Sequence, residues 1–400
     1  MKDSGIEWIG EIPEGWEVIP IKYLARYNYD TLTESCSPDF EFNYIDIGSV
    51  TYGKGITTFQ KFKFKDSPSR ARRVVTPGDI LISTVRTYLR AIACVNKSSI
   101  PQIASTGFLV LQADISKIHP HFLMYSVLSD NFICKVEANS VGISYPAINA
   151  SQIVHFKLPI PQLSEQFLLV TYLDRQCSEI DALLSKTLSS IEEYKKLKQA
   201  VITQAVTKGV RCEREMKDSG VEWIGEIPKE WSVAKAKYCV TITHGSDPKT
   251  EGSIPVYGSG SESFKTCGEY KEGPTVLIGR KGATLHIPHY IEGKYWNVDT
   301  SFDVKAKNNF SLPYYYYLAT SFDYKFYISQ TTLPGMTQSN YYNMFLPFPT
   351  FPEQEEIVAY LDAKCAEIDG LIAKKEQLVK ELESYKKSLI YEVVTGKREV

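Results

Sequence analysis

An internal repeat constrains the possible folds of this 400-residue chain more than any other sequence feature. The opening segment MKDSGIEWIGEIPEGWEV returns from Met216 as MKDSGVEWIGEIPKEWSV, with 14 of 18 positions identical. A second pair of segments reads LPIPQLSEQFLLVTYLDRQCSEIDALL from Leu158 and LPFPTFPEQEEIVAYLDAKCAEIDGLI from Leu346. The two pairs are offset by 215 and 188 residues, so the stretch between them is 27 residues shorter in the second copy. A period this long excludes a solenoid of short repeats.

The repeated segments predict four consecutive parts of the chain. We expect domains at residues 1–158 and 216–345, each followed by a helical spacer, at 159–215 and 346–400. The opening segments and the spacers have stayed alike, whereas the residues between them have diverged almost beyond alignment. A tandem duplication without functional meaning would produce the same order of parts. The pattern of divergence favours instead a frame that presents two different binding domains.

Both spacers have the residue pattern of a long helix. Each follows an L-P-x-P segment, whose prolines suit the entrance of a helix and not its interior. Seam residues then recur in alternating steps of four and three, as in a coiled coil. The predicted seam is Ile180, Leu184, Thr187, Ile191, Tyr194, Lys198, Val201 and Ala205 in the first spacer, and Leu371, Lys375, Leu378, Leu382, Tyr385 and Leu389 in the second. Each helix would contain about 40 residues and measure roughly 60 Å.

A narrow apolar seam on so long a helix needs a partner helix. The nearest candidate is the other spacer, and a two-fold relation between the copies requires the two helices to run antiparallel. We therefore expect two long helices forming an antiparallel coiled coil with pseudo-two-fold symmetry. Helices that pack separately, each on its own domain, are the alternative.

The stretches between the repeats predict mixed β domains and not helical bundles. β-branched runs such as DILISTV at 79–85 and TVLIG at 275–279 are punctuated by Gly and Pro. Each stretch also has one short aromatic segment of helical character, HPHFLMYSVL at 119–128 and LPYYYYLATSF at 312–322. The predicted fold class is therefore α+β, with two mixed-β domains joined by two long helices.

Composition and motifs argue against several functional classes. No apolar stretch approaches the roughly 20 residues that cross a bilayer, and the first residues lack the order of a signal peptide. We therefore expect a cytoplasmic protein with no membrane partner. The eight cysteines form no C-x-x-C pair, which argues against a zinc site and a disulfide framework. Walker, H-E-x-x-H and G-x-S-x-G motifs are absent, so we expect no catalytic residue, no metal and no cofactor in this chain.

A formal net charge of −2 conceals one basic region. Residues 52–97 include ten Lys or Arg and two Asp, a local net charge of +8. Basic and aromatic residues alternate in KFKFK at 61–65, so a strand would place three lysines on one face. Such a face can neutralise phosphates, although lysines also protect the edge strands of ordinary sheets. The second insert has Gly-rich loops instead, THGSD from Thr243, YGSGS from Tyr257 and GRKGA from Gly279, which can bring backbone N–H groups and an Arg to DNA.

Taken together, these motifs resemble the specificity subunits of type I restriction-modification enzymes. The resemblance lies in G-[IV]-E-W-I-G-E-I-P-x-x-W at the start of each domain, and in L-P-x-P with E-Q where each domain passes into its helix. It extends through YIDIGSV, PGDILISTVR and SYPAINASQIVHFKLPIP in the first domain, and through IPVYGSGS, TVLIGRKGA, YWNVDTSFDV and LPGMTQSNYYNMFLPFP in the second. It covers nearly the whole chain, and the doubled order of motifs is more specific than any single motif.

The resemblance implies a sequence-specific DNA-binding protein without catalytic activity of its own. Each domain, as a target-recognition domain, would read one half of a split, asymmetric site in double-stranded DNA, while the helices set the spacing and dock two methyltransferase subunits. Restriction and translocase subunits would join the assembled complex, and S-adenosylmethionine, ATP and magnesium would belong to these partners. The alternatives are a bivalent scaffold that binds non-DNA partners and a single-chain nuclease or methyltransferase.

Two sets of residues carry these expectations. The DNA-binding candidates are basic and polar side chains of the two inserts: Lys61, Lys63, Lys65, Arg70, Arg72, Arg73, Arg86, Tyr88, Arg90, Ser144, Tyr145, His244, Ser246, Ser259, Arg280, Lys281 and Thr337. The partner-binding candidates come from the E-Q and Y-L-D positions of the two helices: Glu165, Gln166, Tyr172, Glu353, Gln354 and Tyr360. The first domain has V-R-T-Y-L-R where the second has G-R-K-G, which leaves open whether the loops of the two domains are equivalent.

Overall fold

The computed structural model describes residues 1–260, 262–324, 327 and 335–400. Ser261 and residues 333–334, which belong to two of the motifs quoted above, lie outside this part of the chain. The described residues form two compact units, the first from 1–186 and 378–400 and the second from 187–377. Within this part of the chain, no helix is both long and apolar enough to cross a membrane.

The first unit is built on two four-stranded sheets. One is antiparallel throughout, and its strands in spatial order are Ile92–Cys94, Ile80–Ser83, Phe108–Ala113 and Ala25–Tyr27. The other is mixed, with a parallel pair at its centre, in the order Gln60–Lys63, Glu41–Ile45, Gln102–Ser105 and Ala71–Val75. Two-stranded pairs join Lys2–Asp3 to Glu11–Ile12, Glu17–Pro20 to Lys157–Ile160, and Val50–Thr51 to Gly55–Ile56.

Short helices cover the first unit's antiparallel sheet. They are Pro120–Leu128, Asp130–Ala138 and Ala150–Ile153, with 3-10 turns at Ile21–Tyr23, Ile47–Ser49, Phe64–Asp66 and Thr87–Leu89. The first of them begins with Pro120, which suits the first helical position because its missing N–H is not needed there. The whole of Ile80–Ser83 is buried, as expected for a strand whose two faces are both covered.

The second unit contains the same two kinds of sheet. Its antiparallel sheet has the order Val240–His244, Ser301–Ala306, Thr275–Gly279 and His289–Ile291. Its mixed sheet has the order Ser263–Cys267, Ile254–Tyr257, Lys294–Asn297 and Lys271–Glu272, again with a parallel central pair. Two-stranded pairs join Met216–Asp218 to Glu226–Pro228 and Ser232–Lys235 to Phe345–Phe348. The short helices are Ala236–Cys239, Leu312–Ser321 and Gln338–Asn343.

The strand order of both sheets is the same in the two units, although the inserts share little sequence. A frame set by the repeated opening segment and the repeated strand before each long helix therefore accommodates two different sequences. The predicted α+β class, with two mixed-β domains and two long helices, is confirmed. The short aromatic helices predicted at 119–128 and 312–322 are also present.

The two long helices run antiparallel within each unit. The first long helix, Leu163–Lys208, has 46 residues and the second, Phe351–Val394, has 44. In the second unit, Lys198 pairs with Asp369 at 2.6 Å, and Arg211, just after the first helix, pairs with Glu356 at 2.6 Å. Because the partner numbers fall as the first helix advances, the directions are opposite.

The first unit shows the same antiparallel sense. Asp181 of the first helix pairs with Lys386 of the second at 2.6 Å. Closer to the start of the first helix, Glu165 accepts a hydrogen bond from Trp16, and Trp16 in turn lies against Gly396, just after the second helix. The predicted spacers 159–215 and 346–400 contain these two helices, and the predicted domain bounds stay predictions.

The predicted seam is correct for the first helix and wrong at three positions of the second. Ile180, Thr187, Ile191 and Ala205 are buried, as predicted. In the second helix the predicted residues Leu371, Leu378 and Tyr385 are exposed. The seam instead runs one residue later at these points, through Cys365, Ile368, Ile372, Lys375, Val379, Leu382, Lys386 and Leu389.

Two lysines explain why this seam is hard to read from hydrophobicity. Lys375 places its ammonium 5.6 Å from the centre of the Tyr194 ring, and Lys386 reaches Asp181. A lysine can pack its aliphatic stem along an apolar seam and carry its charge to a partner at the border. Leu371, Leu378 and Tyr385 each precede a seam residue by one position, but they lie on the exposed side.

Candidate functional site

In the first unit, loops at one edge of the antiparallel sheet are brought together by backbone hydrogen bonds. Strand Ile80–Ser83 ends where Phe108–Ala113 begins. The next residue, Thr84, donates its N–H to the carbonyl oxygen of Gly107 at 2.8 Å, and its own carbonyl accepts the N–H of Ile148 at 2.9 Å. We call residues 84–90, 105–107 and 140–149 the first edge loops.

The second unit repeats this arrangement. Gly279 pairs with Ser301 at the edge of the sheet. The next residue, Arg280, donates its N–H to the carbonyl oxygen of Thr300 at 2.8 Å, and its carbonyl accepts the N–H of Met336 at 2.9 Å. We call residues 244–246, 257–260, 280–286, 298–300 and 335–337 the second edge loops.

The matching hydrogen bonds make residues 84–86 and 280–282 equivalent backbone positions. One β-bridge extends the match in each unit, from Val85 to Ala147 and from Lys281 to Gly335. The sequence left this equivalence open because V-R-T-Y-L-R and G-R-K-G do not align by residue type. The structure shows that the loops correspond and that the first basic side chain comes two positions later in the first unit.

The first edge loops bring several predicted DNA-binding residues together. Arg86 has a left-handed backbone conformation, with φ of 51°, and its N–H donates to the carbonyl oxygen of Pro146 at 2.7 Å. Its guanidinium carbon lies 4.9 Å from the centre of the Tyr145 ring, a distance typical of a cation–π contact. Ser144 and Tyr88 are exposed beside this pair. The arrangement offers one cation, one aromatic ring and hydroxyl groups to a ligand.

Arg90 is held inside the first unit by acidic side chains. Its guanidinium donates to both carboxylate oxygens of Glu137, at 2.9 and 3.1 Å, and to Asp130 at 3.4 Å. Donating hydrogen bonds to Glu137 raises the pKa of Arg90 above its ordinary value. These contacts fasten the turn Thr87–Leu89 to the helix Asp130–Ala138, so Arg90 positions the first edge loops.

A cleft of about 470 Å³ lies behind the first edge loops. Its lining includes Arg73, Asn28, Thr84, Asn149 and Gln152. Among the residues that the structure describes, no hydrogen-bond acceptor pairs with the buried Nε of Arg73, and burial lowers the pKa of this arginine. Sequence reasoning selected Arg73 but missed the amide side chains of Asn28, Asn149 and Gln152. The A-I-N-A-S-Q segment, in which Asn149 caps the helix Ala150–Ile153, was the available signal.

The KFKFK segment differs from its prediction. The strand ends at Lys63, and residues Phe64–Asp66 form a 3-10 turn, so Lys61, Lys63 and Lys65 do not share one strand face. Lys63 and Lys65 both lie near Asp39, at 3.6 and 3.1 Å.

These lysines and two neighbouring arginines lie on the mixed sheet and not in the first edge loops. The strand that carries Lys61 and Lys63 is the outer one, where lysines discourage edge-to-edge pairing. Arg72 pairs with Glu34 at 2.8 Å, and Arg70 is exposed, with its carbonyl bonded to the N–H of Thr106.

In the second edge loops, Arg280 and Lys281 lie among small polar residues. The guanidinium of Arg280 donates to the backbone carbonyl of Asp299 at 3.0 Å and to its carboxylate at 3.3 Å. Lys281 is exposed. Ser259 reaches Thr284 at 3.3 Å, which joins two of the Gly-rich loops. Thr337 caps the helix Gln338–Asn343 by accepting the N–H of Asn340.

His244 and Ser246 lie at the same sheet edge because His244 pairs with Phe302 in the neighbouring strand. The carbonyl of Ser246 accepts a hydrogen bond from the Trp296 indole at 2.7 Å. Both predicted side chains are exposed. The second edge loops therefore contain all six DNA-binding candidates of the second unit.

A partly buried ion pair behind the second edge loops was missed by sequence reasoning. Lys271 pairs with Asp303, whose side chain is almost fully buried, and also donates to Asn297 at 2.7 Å. Asp303 is in the antiparallel sheet, and the other two residues are in the mixed sheet. The pair thus joins the two sheets near the second edge loops. No local pattern reveals it, because 32 residues separate the partners.

The two glutamines predicted to bind partners are buried in identical networks. The amide oxygen of Gln166 accepts the N–H of His119 at 2.7 Å, and its NH2 group donates to two backbone carbonyls, at 3.0 and 3.1 Å. Gln354 accepts the N–H of Ser311 at 2.7 Å and donates to two carbonyls, at 3.0 and 3.2 Å. Both side chains are thus occupied in attaching a long helix to its domain.

The glutamate before each of these glutamines also binds a residue of its own domain. Glu165 accepts the indole N–H of Trp16 at 3.0 Å, and Glu353 accepts that of Trp231 at 2.9 Å. Of the remaining partner-binding candidates, Tyr172 is half-buried and Tyr360 is exposed. The two tyrosines are therefore the candidates best placed to meet another protein.

Comparison with known sequences gives a consistent result. The chain matches the type I restriction modification DNA specificity domain over residues 13–193 and again over 230–381. It is 24% identical to the putative type I restriction enzyme MjaX specificity subunit of Methanocaldococcus jannaschii, with 97% of this chain and 95% of that protein covered.

Solved structures show the same fold. One chain, from work on complex assembly and conformational transition of the type I R-M system, superposes with a TM-score of 0.81 at 21% identity, covering 97% of this chain and 100% of that one. The HsdS subunit from Thermoanaerobacter tengcongensis gives a TM-score of 0.57 at 21% identity, with both chains covered completely.

Proposed function

The chain belongs to the type I restriction-modification DNA specificity family, and we propose that its two sets of edge loops each read one half of a bipartite, asymmetric DNA site. The chain is the sequence-recognition subunit, and the catalytic activities lie on other subunits. A scaffold that binds non-DNA partners is not favoured by this membership.

One observation carries the proposal of two readers. Residues 84–86 and 280–282 occupy equivalent positions on one backbone framework, yet they present Thr, Val and Arg in the first unit and Arg, Lys and Gly in the second. Direct readout of bases depends on which donors, acceptors and methyl groups a side chain offers. A constant framework with different side chains therefore suits two half-sites of different sequence.

The chemistry of the edge loops supports DNA as the ligand. Arg86 in the first unit and Arg280 in the second can bind guanine through two hydrogen bonds or bind a phosphate. Lys281 adds an exposed charge beside Arg280. Arg73 and the amides of Asn149 and Gln152 are of the types that read guanine and adenine.

We assign the long helices two tasks, the spacing of the half-sites and the docking of two methyltransferase subunits. Exposed apolar side chains near the start of each helix support the second task. Phe167 and Leu168 on the first helix and Phe351 and Tyr360 on the second are all exposed. Apolar side chains that face water on a helix are typical of surfaces covered by a partner. Restriction and translocase subunits would join through the assembled complex.

The test is to produce the chain together with its methyltransferase partners and map the methylated positions across a genome. We expect one motif with two short, dissimilar specified parts and an unspecified gap between them. A continuous motif, or a palindromic one, would overturn the proposal. The purified chain incubated alone with DNA, S-adenosylmethionine and magnesium should neither methylate nor cut, and this incubation serves as the control.

A further inference from the structure

The first unit has a small apolar hairpin among its first edge loops. Val141 and Ala147 exchange two backbone hydrogen bonds, at 2.8 and 3.0 Å, and thereby close a loop of five residues. The loop turns at Gly142, which has a φ of 116° that other residues rarely adopt. We call residues 141–147 the apolar hairpin.

The base of the apolar hairpin is fixed to neighbouring loops. Arg86 donates its N–H to the carbonyl of Pro146, and the hydroxyl of Thr87 donates to that of Ser140 at 2.9 Å. The β-bridge from Val85 to Ala147 adds a third attachment. The hairpin is therefore presented in one orientation beside Arg86.

The apolar hairpin exposes side chains that water does not favour. Val141 is 80% exposed, Ile143 is fully exposed and Tyr145 is 65% exposed. Tyr88 and Leu89, on the adjacent turn, are exposed as well. Single exposed apolar residues are ordinary, but a contiguous group usually marks a binding surface. Nothing in the folding of the first unit requires Ile143 to project into water.

From this geometry we infer that Ile143 contacts the 5-methyl group of a thymine in the half-site read by the first unit. The inference rests on the proposed function. Thymine carries a 5-methyl group in the major groove that cytosine lacks. Aliphatic side chains recognise this methyl group by apolar contact. Arg86 beside the hairpin supplies the positive charge that attracts DNA. The nearby carboxylates of Glu137 and Asp130 pair with Arg90, and Asp130 also pairs with Lys387.

Tyr145 has a supporting role in this inference. Its ring lies under the guanidinium of Arg86, so it is not free to stack between bases. Ile143 is the side chain at the tip that makes no such contact, and its β-branched shape restricts its rotamers. The hairpin therefore presents one stiff aliphatic group, suited to a methyl contact and not to wedging base pairs apart.

The experiment uses the complex with its methyltransferase partners and DNA carrying the mapped site. A second DNA has deoxyuridine in place of every thymine of the first unit's half-site, which removes only the methyl groups. We expect the natural complex to bind the second DNA about fourfold more weakly, the effect of burying one methyl group. Ile143→Ser should bind the thymine DNA about fourfold more weakly, and should not discriminate between the two DNAs.

Ile115→Ser is the matched control. Ile115 is 75% exposed and follows strand Phe108–Ala113 at the end opposite the first edge loops, so its substitution should leave both affinities unchanged. The inference is overturned if Ile143→Ser still discriminates between the two DNAs, or if it binds both as the natural chain does. Loss of complex assembly by Ile143→Ser would assign the hairpin to a protein partner instead. Failure of the proposed function is distinguishable, because no bipartite motif would be found for the natural chain.

Discussion

The guanidinium of Arg86 lies over the ring of Tyr145, with its central carbon 4.9 Å from the ring centre. This contact holds a long, mobile cation in one orientation at the edge of the antiparallel sheet. Tyr145→Ala should therefore weaken DNA binding by the methyltransferase complex about three- to fivefold, the worth of an exposed cation–π contact. Fluorescence anisotropy at one fixed salt concentration would measure it. Tyr145→Phe keeps the ring and should bind as the natural chain does, and equal losses for both variants would contradict this account.

Arg86 and Arg280 should each control one half of the recognised site. Arg86→Ala is expected to relax base preference only in the half read by the first unit, and Arg280→Ala only in the other half. A bidentate hydrogen-bonding contact from arginine to guanine contributes about 1 to 3 kcal/mol of discrimination against the other bases. Methylation mapping with each variant would show which bases become tolerated.

The control for these two variants removes a charge of the same sign elsewhere. Lys195 lies exposed on the first long helix and pairs with Glu192, so Lys195→Ala should leave both half-sites intact. If Arg86→Ala and Arg280→Ala relax the base preference in the same half of the site, the assignment of one reader to each unit is wrong.

The repeat made much of the fold predictable, because it fixed where two similar domains and two helices had to be. The buried strand around Leu81 and the helix that contains Tyr315 followed from local apolar patterns. The correspondence of Thr84 with Arg280 could not be predicted from the sequence. It depends on hydrogen bonds to Ile148 and Met336, which are distant in sequence.

Burial of polar residues was the other point that the sequence could not settle. Gln166 belongs to a polar motif at the start of a helix and was predicted to face a partner. The structure gives it three hydrogen bonds to backbone groups of its own domain. An amide satisfies the orphan backbone groups of a turn as well as it binds another protein, and only the tertiary fold distinguishes the two roles.

Gln354→Leu should destabilise the second unit. Leucine fills a similar volume but leaves the N–H of Ser311 and the carbonyls of Asn309 and Pro349 without their partner. Each unsatisfied buried group costs about 1 to 3 kcal/mol, and we expect a total loss of about 2 to 4 kcal/mol after partial relaxation. Urea unfolding would measure it. Gln204→Leu, at an exposed position of the first long helix, is the control, and equal stabilities of the two variants would refute the structural role.

His289 should make the stability of the second unit sensitive to mild acid. Burial lowers the pKa of its ring, so the unfolded chain holds the proton more tightly than the folded one. The resulting stability is present above the ordinary histidine pKa of about 6.5 and is lost as the pH falls through the lowered value. Unfolding midpoints at several pH values between 7.5 and 5 should fall less steeply for His289→Asn. His286→Asn, at an exposed position nearby, is the control, and a slope unchanged by His289→Asn would count against the prediction.

If the long helices set the gap between the half-sites, their length should appear in the recognised motif. Seven residues inserted into both helices, after Thr187 in the first and before Leu378 in the second, preserve the heptad seam and add about 10 Å. At 3.4 Å per base pair, the gap should grow by about three base pairs. The same insertion in one helix leaves part of its seam without a partner, so a longer gap or a loss of binding is expected. Lys186→Ala with Ser189→Ala, two exposed positions of the first helix, changes composition without length and should keep the original gap. Methylation mapping would measure the gap for each variant. An unchanged gap after the double insertion would show that the spacing is not set by the long helices.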